Sequence, residues 1–148
     1  MIRKANLQDK EIYLKMATDF YDSPATAHPV PTSFLEQTFS RFITDGTYGD
    51  IYICEEEDTV VGYLLTAKTW SQEGGGIVCW IEEFFVPELY RGKGYGSKMI
   101  EYVLTNEPAA RFRLEVETDN EKAVALYKRL GFSFMEYSSM VKELKYKG

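Results

Sequence analysis

Arg91-Gly92-Lys93-Gly94-Tyr95-Gly96-Ser97 is the stretch from which the fold of this chain is read. An apolar run, Trp80 to Val86, leads into it, and a helical pattern follows with Met99, Ile100, Val103 and Leu104 on one side. Three alternate glycines between a strand and a helix start let the backbone pass close to a ligand and turn its N–H groups toward it. The positive end of the following helix dipole points the same way. Arg91, Lys93 and Lys98 stand against one nearby acid, Glu88. A turn of this kind is suited to holding phosphate.

Spacing then separates the phosphate ligands. A dinucleotide fingerprint needs G-x-G-x-x-G, whereas Gly92, Gly94 and Gly96 put the third glycine one place early and leave Ser97 where it belongs. Glu115 or Glu117, about 20 residues on, could still serve as the ribose acid of a nucleotide-binding oxidoreductase. The P-loop pattern G-x-x-x-x-G-K-[ST] is absent. A tight turn without a ligand is the plain alternative, but three glycines would then cost chain entropy to no purpose.

Around this turn the chain has 148 residues, enough for one full-sized core, and we read residues 1–148 as a single domain. Hydrophobic residues make up 45% and aromatic residues 15%, which predicts a packed globule. The 17 basic and 23 acidic residues leave a formal charge of −6, which argues against nucleic acid as the main partner. An acidic chain with a locally basic phosphate turn suits a small anionic cofactor beside a cationic substrate. Cys54 and Cys79 lie in apolar runs without a CxxC partner and read as reduced buried thiols. The start of the chain lacks the apolar core of a signal peptide, and no apolar run approaches a membrane span. The expected location is the cytoplasm.

Periodicity places the remaining elements. Ile2 to Ala5 reads as a strand, and Asp9 to Tyr21 as a helix with Ile12, Tyr13, Met16, Ala17 and Phe20 inward. The segment from Ser23 to Pro31 carries three prolines and reads as a loop. Ser33 with Glu36 looks like a capping box opening a second helix that buries Leu35, Phe39, Phe42 and Ile43. Ile51 to Glu55 and Val60 to Thr66 suggest a hairpin, Gly74 to Gly76 a mobile loop, and Ile77 to Val86 a central strand. Arg111 to Glu117 alternates cleanly, with Phe112, Leu114 and Val116 facing one way. Thr118-Asp119-Asn120 offers cap chemistry for a helix from Glu121 to Leu130, closed by Gly131. Phe132 to Phe134 and Ser138 to Glu143 look like closing strands. The order gives an α/β or α+β domain around a mixed sheet.

Arg91-x-x-Gly94-x-Gly96, with Val86-Pro87-Glu88-Leu89-Tyr90 before it, resembles the acyl-coenzyme A pyrophosphate motif of the GNAT superfamily of N-acetyltransferases. Asn120-x-x-Ala123-x-x-Leu126-Tyr127-x-x-Leu130-Gly131-Phe132 is similar to that family's second signature. The resemblance runs from Trp80 to Phe132 and implies a mixed, mostly antiparallel central sheet of six to seven strands flanked by about four helices. It implies acetyl-coenzyme A as cofactor, a primary amine as acceptor, no metal, and often a homodimer. By position, Arg91, Gly92, Lys93, Gly94, Gly96 and Ser97 would cradle the pyrophosphate. Backbone groups near Phe84 and Val86 would pair with the pantetheine arm, and Asn120 would contact that arm from the other side.

The chemistry can be reached independently. A primary amine with a pKa of about 10.4 is protonated at neutral pH and cannot attack a thioester. A base must take its proton and an acid must supply one to the departing thiolate. Tyr127 lies on the inward stripe of its helix and is the acid candidate; its plain alternative is a core tyrosine, one of 11 tyrosines in the chain. Glu82 and Glu83 interrupt the apolar strand, and alternation would set them on opposite faces. Burial would raise a carboxylate there toward a useful base, against the alternative of a solvated or ion-paired couple. Ile81-Glu82-Glu83-Phe84-Phe85-Val86 is similar to the Leu-Glu-Asp-Phe-Phe-Val pattern of the spermidine/spermine-type diamine N-acetyltransferases, in which the first acid is linked to catalysis and the second to the polyamine. On that basis Glu82 is the candidate base and Glu83 a candidate substrate contact. His28, the only histidine, sits in the proline-rich loop as a surface residue or a lining of the acceptor pocket, and alone makes no metal cluster. A non-catalytic acyl-coenzyme A-binding module, and acceptors such as amino acids, aminoglycosides or proteins, are the alternatives.

Overall fold

Five stretches form strands in the computed structural model, which describes residues 1–23 and 29–144. They are β1 (Ile2–Lys4), β2 (Ile51–Glu56), β3 (Thr59–Ser71), β4 (Gly76–Phe85) and β5 (Arg111–Arg113). Four helices accompany them: α1 (Lys10–Tyr21), α2 (Thr32–Thr44), α3 (Tyr95–Asn106) and α4 (Glu121–Arg129). His28 lies outside the described residues. Two compact units divide the chain, Met1–Glu115 and Val116–Gly148.

The first unit holds the sheet, in the order β1-β2-β3-β4-β5. Its first three pairings are antiparallel, and β4 pairs with β5 in parallel. A parallel pair needs a crossover, and α3 supplies it between β4 and β5. On one face Ile51, Ile53, Tyr63, Leu65 and Phe85 pack against Tyr13, Met16 and Ala17 of α1 and Leu35 and Phe39 of α2. On the other face α3 buries Met99, Ile100 and Val103, and its Tyr102 ring meets Tyr52 of β2 edge-on. Removing a ring as enclosed as Phe39 (1% exposed) would cost about 3–5 kcal/mol.

Several boundaries differ from the sequence reading. β3 runs on to Ser71 and pairs with β4 as far as Gly76, so the glycine stretch is a tight turn, with Gly74 N–H bonded to Ser71 Oγ at 2.8 Å and Gly75 N–H to Ser71 O at 3.0 Å. α2 begins at Thr32 with Pro31 as its cap and no side-chain cap bond. Ser33 therefore sits inside the first turn, where it cannot take the half-extended geometry of a capping box. That box forms instead at Asn6 and Asp9: Asn6 N–H donates to Asp9 Oδ2 at 2.7 Å, and Asn6 accepts from Gln8 N–H at 2.9 Å. Asp9 is held well below the usual carboxylate range by the Arg3 guanidinium.

The sheet has five strands among the described residues, fewer than six to seven, although the mixed, mostly antiparallel class holds. β5 stops at Arg113 instead of Glu117. In the second unit α4 is the regular element, and Phe132 to Phe134 and Ser138 to Glu143 form no strands. Phe134 is 55% and Met140 97% exposed. Alternation alone does not make a strand; a paired edge and a surface to pack on do, and neither is present within that unit. Among the described residues no helix is long and apolar enough to cross a membrane.

Candidate functional site

The glycine turn connects the end of β4 to α3. Gly94 is the N-cap of α3, with φ of 82°, and Gly92 has the same φ. A Cβ at either position would meet nothing within 4 Å, so the turn presents open backbone. The N–H groups of Tyr95, Gly96 and Ser97 fall in the first helical turn, where no intrahelical carbonyl is available to them. Together with the helix dipole they make a fitting cradle for a pyrophosphate. Arg91 Nε donates to the Val86 carbonyl at 2.7 Å, and its guanidinium lies 5.5 Å from the centre of the Phe85 ring. Arg91 thus ties the turn back to the strand that leads into it. Lys93 is exposed beside it.

β4 opens at this end. Its pairing with β5 covers Val78 to Trp80 only, so from Ile81 to Phe85 the edge facing away from β3 carries no strand among the described residues. Phe84 sits on that open stretch, and its ring lies under Gly96. Free backbone on one strand edge can bond an extended chain as another strand would.

The two acids lie at an irregularity in the same strand. Thr66 pairs with Ile81 and Leu65 with Glu83, so Glu82 is an extra residue. Such a bulge breaks alternation. The expectation that simple alternation sets Glu82 and Glu83 on opposite sides is corrected accordingly, because the inserted residue interrupts the alternation between them. The Glu83 carboxylate receives the Tyr21 hydroxyl on Oε1 and the Tyr63 hydroxyl on Oε2, the latter at 2.5 Å. Burial pushes Glu83 above the ordinary carboxylate value, the two tyrosine donors pull it back, and the Glu82 charge adds to the rise. Glu82 opens to solvent, yet loss of hydration raises its pKa as well, and the Glu115 charge contributes. A carboxylate raised in this way is a candidate general base.

In the second unit, Asn120 caps α4 by accepting from Ala123 N–H at 3.2 Å. Gly131, with φ of 97°, ends the helix as its sequence position predicts. Tyr127 is half-buried with Phe132 edge-on to its ring at 6.1 Å, and burial raises its pKa. The hydroxyl is therefore protonated at neutral pH, as a candidate proton donor must be.

The acetyltransferase (GNAT) family model matches residues 12–132. The chain belongs to this family. The spermine/spermidine N(1)-acetyltransferase of Bacillus subtilis (strain 168) is 35% identical over 100 residues, covering 60% of this chain and 66% of that protein. The thialysine N-epsilon-acetyltransferase of Mus musculus is 43% identical over 75 residues, covering 49% of this chain and 44% of its own length. The match therefore spans less than two thirds of either relative. Among solved structures, a possible acetyltransferase from Clostridium difficile 630 superposes with a TM-score of 0.86 at 23% identity, over 99% of this chain and 98% of that one. That likeness speaks for the GNAT fold.

Tyr21 and Tyr63 are the neighbours of the candidate acids that sequence reasoning missed. Tyr63 stood in a β-rich run among other apolar residues, and Tyr21 at the end of an amphipathic helix. The available signal was position: the inward stripe of α1 through Tyr13 and Ala17 comes round again at Tyr21. Nothing local says that its hydroxyl meets a residue 62 positions away.

Proposed function

We propose that this chain is an acetyl-coenzyme A-dependent N-acetyltransferase acting on small primary amines, with diamines or polyamines as the acceptor class. The observation that carries the reading is the bulge at Glu82, which brings two adjacent carboxylates of raised pKa to the stretch of β4 that has an open strand edge and leads into the glycine turn. The family match runs through both units and supports a single functional domain over residues 1–148.

When bound, acetyl-coenzyme A supplies the activated acyl thioester. Gly92, Gly94, Gly96 and Ser97 offer backbone N–H groups to its pyrophosphate, and Lys93 adds charge. Arg91 holds the turn against Val86. Phe84 and Val86 offer backbone groups to the pantetheine arm, with Asn120 as a further contact. Glu82 would take one proton of the acceptor ammonium, directly or through water; as the C–N bond forms and the C–S bond breaks, Tyr127 would give its hydroxyl proton to the departing thiolate and regain one from the second amine proton. Glu83 draws a second positive charge on the acceptor. A positioned base and acid contribute on the order of 10²–10⁴-fold each.

Thiol release from acetyl-coenzyme A against a panel of spermidine, thialysine and aminoglycosides tests this. Release with spermidine above the hydrolytic background is the expected outcome. Coenzyme A binding without release with any amine would favour a non-catalytic acyl-coenzyme A module. Protection against thermal unfolding by NAD, and none by acetyl-coenzyme A, would sink the transferase reading.

A further inference from the structure

Glu83 is held in an unusual way for a residue on a strand that opens to a binding site. Its two carboxylate oxygens receive two different tyrosine hydroxyls, from Tyr21 at the end of α1 and from Tyr63 in β3. Neither clamp arm is loose. Tyr63 is completely buried, and its ring packs edge-on against Tyr13 at 5.1 Å, which in turn lies 5.5 Å from Phe39 of α2. Tyr21 meets Phe20 edge-on at 5.0 Å, and Phe20 packs on Phe85 two residues beyond the acid. Glu82, one residue earlier in the bulge, has neither tyrosine bond.

We propose that Tyr21 and Tyr63 are positioning residues for amine recognition: they clamp Glu83 as a fixed anion aimed at the acceptor's second charge and leave Glu82 to take the proton. The proposal rests on the transferase reading above. An ionised carboxylate only accepts, so two hydroxyl donors, one on each oxygen, favour that form and offset part of the rise that burial causes. A clamped carboxylate is a poor shuttle and a good electrostatic anchor. The titratable groups facing Glu83 are Tyr13 and Tyr21 from α1, Tyr63 from β3 and Glu82 from β4, with Glu115 acting on Glu82. The tyrosines are all pushed upward by burial, so they act through their protons and not through charge. The bulge thus assigns two chemically similar neighbours different work by giving only one of them donors.

The test compares wild type, Tyr21→Phe and Tyr63→Phe as full-length chains with a linear diamine and a monoamine of equal length, at saturating acetyl-coenzyme A. For the diamine, each variant is expected to raise KM about tenfold while kcat stays within about twofold, as loss of one hydrogen bond to a charged group implies. The monoamine KM stays at its wild-type value, and the acid limb of the diamine kcat/KM moves to higher pH. Carbon-13 NMR of the Glu83 carboxyl, assigned through Glu83→Gln, should show it titrating at higher pH in both variants. Equal changes for both amines, a fall in kcat at unchanged KM, or an unmoved Glu83 titration would each overturn the clamp. If Tyr63→Phe fails to fold, Tyr21→Phe alone carries the test, since that side chain is only half-buried. If wild type acetylates no amine, the transferase reading fails, and the NMR titration still judges whether the tyrosines hold Glu83 as an anion.

Discussion

Gly96 and Phe84 are in direct contact: a Cβ added to Gly96 would lie 3.0 Å from Phe84 Cε2. The helix carrying the glycine turn therefore rests on the ring of the strand residue proposed to line the pantetheine arm. Gly96→Ala must push that ring aside or lift α3. We expect a loss of about 1–3 kcal/mol by thermal or urea unfolding, typical of overpacking, together with a higher KM for acetyl-coenzyme A. Unchanged stability and KM would show that the contact gives way freely.

Gly94 has room for a side chain but not the backbone for one. At φ of 82° an alanine is strained by about 1–2 kcal/mol, and relaxing that strain turns the helix cap away. Gly94→Ala should weaken coenzyme A binding, measured by calorimetry, more than it lowers the unfolding midpoint. The opposite ranking would argue that the turn serves the fold alone.

As the proposed base, Glu82 would act only when ionised, and burial and the Glu115 charge raise its pKa above that of an ordinary carboxylate. Activity should accordingly fall on acidification at a higher pH than a solvated glutamate would give. Glu82→Gln should lower kcat by about 10²-fold or more and remove that acid limb. A pH–rate profile of the variant that keeps the wild-type limb would assign the base elsewhere.

Tyr127→Phe removes one oxygen and little packing, since the ring contact with Phe132 is retained. A drop in kcat on the order of 10²-fold with unchanged coenzyme A affinity is the outcome expected of a proton donor. Full turnover in this variant would leave Tyr127 a core residue.

Stability should follow pH through Glu83. Its folded pKa is raised, burial being the largest cause, so the folded state binds this proton more tightly than the unfolded chain does. The corresponding stability is fully present below the unfolded value and is lost as pH rises through the raised folded value. Glu83→Gln removes that dependence. Urea titrations at several pH values should show wild type losing stability relative to the variant across this window, and parallel curves would contradict the assignment.

Local signals made the glycine turn, the α4 cap and the stripes of α1 and α3 legible, because each depends on residues within a turn or two of one another. Gly131 takes its left-handed conformation where a glycine at the end of a helical run predicts it. The strands were harder. Ala67-Lys68-Thr69-Trp70 extends β3 because β4 lies beside it, and the alternation from Leu114 to Glu117 makes no strand.

What the sequence determined by itself was the family, since its signatures rest on short spacings along one chain. The tertiary structure alone set the environment of the two acids. A one-residue bulge against β3 interrupted the alternation of Glu82 and Glu83, and tyrosines 62 and 20 residues distant gave Glu83 its donors. Register and long-range hydrogen bonds come from how separate segments pack, and spacing along the chain carries no record of them.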